Sequence, residues 1–397
     1  MNTAKRNDQW AGKVFSDGWV VPSGGTTPVV EPATGETLAR IGAGSADDIG
    51  RAVQSAVAAQ AAWFALPFDQ RAQILREAAR LLKERATEIN DWNVRECGST
   101  LAKAEWELHA TCEQILMAAA MPMQPDGSLY PSAVPGRMNL SRQIPIGVVG
   151  VIAPWNFPIL LAMRSVAPAL AVGNTVVLKP DPQSGVAGGL LLASVFEDAG
   201  LPSGVLHVIP GGPQTGDALV RHPDVGMISF TGSTAVGRSI GAVCGQMLKK
   251  VALELGGNNA LIVLDDADIE AASSSGAWGS FLHQGQICMQ TGRHLVHRSI
   301  YDEYVDKLAT RASQLTAGNP QTGQVHLGPL INEKQRDRVD SIVRETVSAG
   351  AKLRAGGQFT GLFYSPTVLA DVKPDMPAFR EELFGPVAPV TVFDNRG

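Results

Sequence analysis

Apolar positions recur at helical spacing through the first third of the chain. Ser45 and two acidic residues precede one such apolar stripe, so the pattern predicts a helix that Ser45 caps at its N-terminus. A second stripe begins at Asp69, and a third covers residues 102–121. Prolines and glycines then cluster between residues 122 and 136, which predicts a domain boundary or an inserted hairpin.

From Gly147 the pattern changes to short β-branched runs, most of them followed by a helical segment. The runs cover residues 148–153, 175–178, 205–209, 227–230 and 260–264. Short buried strands separated by helices predict a doubly wound parallel sheet of the α/β class. Ligands bind beyond the carboxyl ends of the strands in such a sheet. We therefore expect one edge of the sheet to bring together residues 154–156, Lys179, residues 211–212 and residues 231–234.

A further set of segments follows Asp265. They are a helix through Trp278, a loop that contains Cys288, a strand near residues 294–297, and helices from Tyr301 and Asn332. The chain shows no internal repeat and no low-complexity tract, which argues against a solenoid. Its 397 residues exceed the size at which one hydrophobic core stops growing, so two domains or one large α/β unit with an insertion are expected.

Charge and cysteine content narrow the classes of partner. The chain has 33 Lys and Arg against 38 Asp and Glu, a net charge of -5 without acidic or basic runs, which argues against nucleic acid and favours a small substrate. The N-terminus lacks the apolar core of a signal peptide, and prolines and polar residues interrupt the most apolar stretch, residues 146–172, so no membrane span is expected. The four cysteines lie too far apart for metal-ligand pairs, so we expect no metal site and reduced thiols in a cytoplasmic protein.

Cys288 is the candidate nucleophile. Free cysteines are commonly buried and structural, which is our interpretation of Cys97, Cys112 and Cys244. The glycines and glutamines around Cys288 instead predict a loop whose backbone a ligand can approach closely. A thiol with an ordinary pKa of about 8.5 is little ionised at neutral pH, so a base or a water relay must help it. His283 lies five residues away at a predicted helix end, and we interpret it as a surface or structural residue.

Two more side chains carry candidate chemistry. Glu254 follows an apolar run and precedes two glycines, so it is either a salt-bridged residue or a general base whose pKa is raised by burial. Asn156 lies between Trp155 and Phe157 in a turn that two prolines make rigid. It is either a turn residue or, with the Cys288 N–H, a hydrogen-bond donor to an oxyanion. A thiol, an amide and a carboxylate together suit the oxidation of an aldehyde through a thioester.

Residues 232–239 come within one residue of a phosphate-binding P-loop. Arg238 stands where that motif needs Lys, which argues against an ATPase. Two interpretations remain: an ordinary strand–helix turn, or a turn at Gly232 that lets a helix N-terminus bind a pyrophosphate. No Gly-x-Gly-x-x-Gly fingerprint occurs in the chain.

Six ordered motifs follow one another at family-like spacing. They are PWNFP at 154–158, LKP at 178–180, FTGS at 230–233, LELGG at 253–257, GQIC at 285–288 and ELFGPV at 382–387. On these motifs the chain resembles an NAD(P)-dependent aldehyde dehydrogenase from about residue 10 to its last residue. Within that family, residues 161–164, 179–182 and 283–289 are most similar to benzaldehyde and vanillin-type dehydrogenases.

The resemblance implies a fold and a division into domains. It implies a Rossmann-type, doubly wound dinucleotide-binding domain over residues 1–124 and 147–257, with a bridging or oligomerisation hairpin over residues 125–146. An α/β catalytic domain over residues 258–397 would follow, C-terminally incomplete because the chain stops soon after the last motif. The segment expected beyond it includes a strand that family members donate to a neighbouring subunit, which leaves the family's homo-oligomer open for this chain.

The resemblance also implies an activity. Cys288 would attack an aromatic aldehyde, Asn156 and the Cys288 N–H would hold the oxyanion, and Glu254 would activate the water that releases the carboxylic acid. Cofactor contacts would come from Trp155, Lys179, Gly212, Gly232, Ser233, Glu382 and Phe384.

Some features leave alternatives open. Pro182 stands where many NAD-preferring members carry a glutamate, so less repels a 2′-phosphate, and either NAD or NADP is expected. An incomplete chain raises a second hypothesis, a dinucleotide-binding or scaffold protein without catalytic competence. A third is acyl transfer to coenzyme A, against which Glu254 speaks because a positioned base serves hydrolysis.

Overall fold

The chain folds into two units, which the computed structural model describes over residues 9–394. The first unit consists of residues 9–29, Thr37–Trp92 and Glu105–Glu254. The second consists of Val30–Glu36, Asn93–Ala104 and residues 255–394. The functional domain boundaries stay predictions, since these units are defined by packing alone.

Strands are numbered here in chain order. They are β1 Val14–Phe15, β2 Trp19–Val20, β3 Thr26–Val30, β4 Thr37–Gly42, β5 Gly127–Tyr130, β6 Asn139–Arg142, β7 Val148–Ile152, β8 Thr175–Lys179, β9 Leu206–Val208, β10 Val225–Gly232, β11 Lys250–Leu255, β12 Asn259–Val263, β13 Thr291–His297, β14 Lys352–Ala355, β15 Phe359–Thr360, β16 Phe363–Tyr364, β17 Thr367–Ala370 and β18 Val387–Phe393.

A seven-stranded sheet forms the centre of the first unit. Its order is β11-β10-β7-β8-β9-β1-β2, and the four strands from β10 to β9 run parallel. The first four predicted β-branched runs are therefore confirmed as neighbours in one doubly wound sheet. The fifth, residues 260–264, was grouped with them wrongly, because β12 pairs with β13 in the sheet of the second unit.

Twelve α-helices of at least four residues lie among the strands of the two units in residues 9–394. They are Ala46–Ala65, Phe68–Glu84, Ala86–Cys97, Leu101–Ala120, Pro158–Ala171, Leu191–Asp198, Pro213–Arg221, Thr234–Gln246, Ile269–Phe281, Tyr301–Gln314, Glu333–Ser348 and Pro377–Arg380. The predicted cap at Ser45 is confirmed: its hydroxyl accepts the Asp48 N–H, and the Asp48 carboxylate accepts the Ser45 N–H in a capping box. The helices predicted from Tyr301 and Asn332 are also confirmed, the second with Asn332 as its cap.

The second unit is built on a five-stranded sheet. Its order is β12-β13-β18-β17-β14, with β14 antiparallel to β17 and the other pairs parallel. Buried side chains from Tyr304 and Leu308 pack with Val296 and Val390 of the sheet. The strand predicted near residues 294–297 is the end of β13.

A hairpin occupies the proline- and glycine-rich region after helix Leu101–Ala120. Strands β5 and β6 pair antiparallel, with Leu129 opposite Leu140. The inserted hairpin is thus confirmed as a structural element, whereas its bridging role stays a prediction. Among residues 9–394, no helix combines the length and the apolar character that a bilayer crossing requires.

Candidate active site

The carboxyl ends of four parallel strands lie side by side in the first unit. Ile152 of β7 pairs with Lys179 of β8 on one side and with Phe230 of β10 on the other. From β7 the chain adds β8 and β9 on one side and then returns to place β10 on the other, so the switch point of the sheet lies between β7 and β10. This is the position at which doubly wound sheets bind ligands. The predicted gathering of strand ends at one edge is confirmed.

Lys179 is the last residue of β8 and is buried. Burial lowers the pKa of its amine, and the nearby charge of Asp181 partly opposes that shift. Helix Pro213–Arg221 begins at the cap Gly212 and passes beside this lysine, because a Cβ added at Gly216 would lie 3.7 Å from Lys179 Cδ. The lysine side chain therefore lies beside a helix whose N-terminus is at the carboxyl ends of the parallel strands.

The near-P-loop segment forms the predicted strand–turn–helix. Strand β10 ends at Gly232, and Ser233 caps helix Thr234–Gln246 by accepting the Val236 N–H at 3.5 Å. A second helix N-terminus thus lies at the same sheet edge. Two helix N-termini and a buried lysine are the donor set that the phosphates and ribose of a dinucleotide require, so these residues fit such a cofactor.

Asn156 is buried in the turn between β7 and helix Pro158–Ala171. The buried carboxylate of Glu107 holds this turn, since its Oε1 accepts the N–H groups of Ile159 at 2.8 Å and Leu160 at 3.1 Å. Next to Glu107, the ring of Trp106 packs edge-on against Phe157 at 6.1 Å. The sequence analysis did not identify Glu107 as a residue that holds this turn. The one sequence feature that could have indicated it is an acidic residue on the apolar side of a helix.

Glu254 lies on β11, the outermost strand of the sheet. Its side chain is 64% exposed and lies 3.7 Å from the guanidinium of Arg164. The expectation that this carboxylate is buried is therefore wrong; it pairs with Arg164, and its role as general base stays a prediction. Arg164 also donates to the Thr231 hydroxyl at 3.4 Å, so one guanidinium contacts both the carboxylate and the strand end of β10.

Cys288 is exposed in the second unit, whereas Cys97, Cys112 and Cys244 are buried. The predicted contrast between one accessible thiol and three structural ones is confirmed.

The backbone before the cysteine is unusual. His283, Gln284 and Gly285 adopt φ values of 47°, 56° and 67°, three successive residues in the left-handed region. Such conformations persist only where the surroundings impose them, and they concentrate at functional sites. His283 follows the end of helix Ile269–Phe281, as predicted, and it is buried, which favours the structural over the surface interpretation.

The glutamines around Cys288 impose this shape. All three are buried, and the predicted close approach of a ligand to this loop stays a prediction. Gln284 donates to the carbonyls of Gly98 and Pro329 at 2.9 and 3.0 Å, and Gln286 accepts the Ile331 N–H at 3.0 Å. Their amides thus pair with backbone groups of two other segments of the chain and tie the loop to them.

Glu382 and Phe384 lie in a loop that contacts the cysteine loop, since Gln290 Nε2 donates to the Gly385 carbonyl. The Glu382 carboxylate accepts the Gly257 N–H at 3.3 Å, and it approaches Gly256 so closely that a Cβ there would collide with it. Burial raises the pKa of Glu382, while the Gly257 N–H and the charge of Arg338 oppose that shift. Phe384 has a φ of 51°, so it also lies in the left-handed region.

Comparison with known proteins decides the family. Residues 19–396 match the profile of the aldehyde dehydrogenase family. The chain belongs to the aldehyde dehydrogenase family. As a member it is an oxidoreductase that oxidises aldehydes with NAD(P).

Aldehyde dehydrogenases named for aromatic substrates are among its relatives. The benzaldehyde dehydrogenase (NAD(+)) of Pseudomonas putida is 57% identical over 395 residues, which are 100% of this chain and 81% of that protein. A vanillin dehydrogenase of an Amycolatopsis species is 56% identical, over 98% of this chain and 79% of the relative. The crystal structure of an NAD-dependent benzaldehyde dehydrogenase from Corynebacterium glutamicum matches with a TM-score of 0.91 at 39% identity, over 96% of this chain and 84% of that one.

These matches confirm the aldehyde dehydrogenase fold. They do not support the expectation that a subunit-contacting strand is absent. Within the fold, the first unit carries Trp155, Asn156, Lys179, Gly212, Gly232, Ser233 and Glu254, and the second carries Cys288, Glu382 and Phe384.

Proposed function

We propose that this chain oxidises an aromatic aldehyde of the benzaldehyde or vanillin kind to the carboxylic acid, with NAD(P)+ as acceptor. The substrate class follows from the identity of 56–57% with relatives of those names along nearly the whole chain. The observation that carries the mechanism is the exposed thiol of Cys288 at the end of a strained, internally anchored loop.

In this proposal the Cys288 thiolate attacks the carbonyl carbon and forms a thiohemiacetal. The Asn156 amide and the Cys288 N–H donate hydrogen bonds to the oxyanion that develops. A bound NAD(P)+ would supply the acceptor for the hydride that the substrate carbon loses. Glu254 then takes a proton from water, which attacks the resulting thioester, and Cys288 leaves as the thiolate with release of the acid.

Binding of the dinucleotide is assigned to the edge of the first sheet and to the Glu382 loop. Lys179 would donate to the ribose hydroxyls, and the helix N-termini at Gly212 and at Gly232 and Ser233 would bind the pyrophosphate. We assign Trp155, Glu382 and Phe384 to the nicotinamide half.

A direct test is steady-state turnover with benzaldehyde, vanillin and an aliphatic aldehyde of similar length, each with NAD+ and with NADP+. We expect NAD(P)H absorbance to rise fastest with the aromatic substrates. Absence of absorbance with every aldehyde would overturn the proposed function, and preference for the aliphatic aldehyde would overturn the substrate class.

Cofactor choice is expected to depend on Pro182, which begins a short 3-10 turn directly after β8. A carboxylate at this position would repel a 2′-phosphate, so Pro182→Glu is expected to lower kcat/KM for NADP+ by about tenfold, equivalent to 1.4 kcal/mol, with little change for NAD+. Pro182→Gln is the uncharged control. Equal effects of both substitutions would show that shape rather than charge acts here.

Asn156→Ala is expected to slow formation of the thiohemiacetal by about a hundred- to a thousandfold, since one oxyanion donor is lost. The measurement is the rate of the pre-steady-state NAD(P)H burst, with cofactor affinity determined in parallel. Asn319→Ala, in a turn where the side-chain oxygen of Asn319 accepts the Gln321 N–H, is the matched control. A burst at the wild-type rate in Asn156→Ala would assign the amide to the turn alone.

Two further proposals concern the oligomeric state and the cellular location of the chain. We infer a homo-oligomer whose contacts include the hairpin, because Leu129 and Leu140 face each other across it and are 63% and 75% exposed. A cytoplasmic location is consistent with four free cysteines.

A further inference from the structure

We propose that Asn259 is a positioning residue for Cys288, which sets the direction of the cysteine's thiol and N–H by holding the backbone that follows it. The proposal rests on the function proposed above. Asn259 Nδ2 donates to the Cys288 carbonyl at 2.9 Å and to the Gln290 carbonyl at 3.1 Å. One amide group therefore binds the backbone on both sides of Met289.

An irregularity in the sheet explains why a side chain does this. Strand β12 pairs with β13 in parallel, with Asn259 opposite Thr291 and Ala260 opposite Arg293, so Gly292 is an extra residue on the β13 side. At such a bulge the regular ladder of backbone hydrogen bonds is interrupted. The chain before Thr291 lies just outside the regular part of this ladder, and the Asn259 amide supplies hydrogen bonds there.

Neighbouring contacts fix Asn259 itself. The next residue toward the N-terminus, Asn258, donates to the Phe379 carbonyl at 2.8 Å, and its own carbonyl accepts from the Arg293 guanidinium. A Cβ at Gly292 would collide with the Asn258 side chain, so a larger residue in the bulge would have to displace the Asn258 amide. Adjacent asparagines thus bind different segments, Asn258 the one before Glu382 and Asn259 the one that contains Cys288.

The other anchors of the cysteine loop act on its flanks. Gln284 and Gln286 hold the loop on the N-terminal side of Cys288, and Gln290 holds it to residues 385 and 387. Asn259 differs from them because its hydrogen bond ends on Cys288 itself. A rotation of this peptide group would change the direction of the cysteine side chain, and misplacement of a reacting group by about 1 Å can cost a hundredfold in rate.

Asn259→Asp tests the proposal, because it keeps the size of the side chain and replaces the NH2 donor by an oxygen that repels both carbonyls. We expect the single-turnover NAD(P)H burst to slow by about ten- to a hundredfold and the rate of Cys288 alkylation by iodoacetamide, measured across pH, to change from the wild-type profile. The Kd for NAD(P)+ and the Tm are expected to stay close to wild type. Asn319→Asp is the matched control. The side-chain oxygen Oδ1 of Asn319 accepts the Gln321 N–H, and aspartate keeps an equivalent oxygen.

Two comparisons keep the outcomes distinct. Wild-type burst and alkylation rates in Asn259→Asp would overturn the positioning role, whereas a wild-type enzyme that gives no burst with any aldehyde would overturn the proposed function. If Asn259→Asp does not fold, Asn259→Ala carries the same measurements without the repulsive charge. A slow burst with an unchanged alkylation profile in a folded variant would also count against the proposal, since the thiol would then be unaffected.

Discussion

Replacing Cys288 by Ala is expected to lower aldehyde turnover by roughly 10⁴-fold or more while NAD(P)+ still binds. The physical reason is that the sulfur forms the covalent bond to the substrate, whereas the residues assigned to the dinucleotide lie at the edge of the sheet in the first unit and in the Glu382 loop. Stopped-flow absorbance measures turnover, and quenching of intrinsic fluorescence on titration measures cofactor affinity.

Cys112→Ala is the control for this experiment. Burial raises the pKa of the Cys112 thiol to about 11, so it is not ionised at neutral pH and is expected to contribute nothing to turnover. Mass spectrometry after brief alkylation of the native protein should find the label on Cys288 alone among the four cysteines. Turnover retained in Cys288→Ala would refute the covalent mechanism.

Replacing Glu254 by Gln is expected to uncouple the two halves of the reaction. The first half needs the thiol and the oxyanion donors, so each active site should still release one NAD(P)H in a burst. Steady-state turnover should then fall by roughly 10²- to 10⁴-fold, because the proposed general base is lost. Rapid quench and mass spectrometry would detect the acyl group retained on Cys288.

Glu303→Gln is a matched control, since this exposed glutamate also pairs with a basic side chain, that of Lys307. Addition of coenzyme A to the wild-type enzyme discriminates between the two acceptors of the acyl group. Release of acyl-coenzyme A in place of the acid, with no effect of Glu254→Gln, would favour the acylating chemistry instead of hydrolysis.

Local patterns were sufficient for most of the fold. Helix starts depend on side chains within a few residues, so the sequence alone predicts them. This holds for the cap at Ser45 and for the helices from Tyr301 and Asn332. The sheet to which residues 260–264 belong depends instead on pairing with β13, about thirty residues later in the chain. A β-branched run predicts a strand but contains no information about its neighbour.

The errors at the site have the same origin. Residues 251–253 are apolar and suggest a buried strand, but β11 is the edge of the sheet, so Glu254 faces solvent beside Arg164. Glutamines in a loop are usually solvated, and here they are buried because irregular backbone far away in sequence needs their amides. The contact of Asn259 with the cysteine loop was not predicted for the same reason, since its partners lie about thirty residues away in the chain.

The left-handed run at residues 283–285 has a consequence for how the reactive centre arises. Its anchors are the carbonyls of residues 98 and 329, which are distant in the chain from Gln284 and from each other. Because local preferences oppose this conformation, the loop can take its final shape only after both segments have docked. In partly folded chains the backbone before residue 288 would then lack this conformation, which would form in one of the last steps of folding.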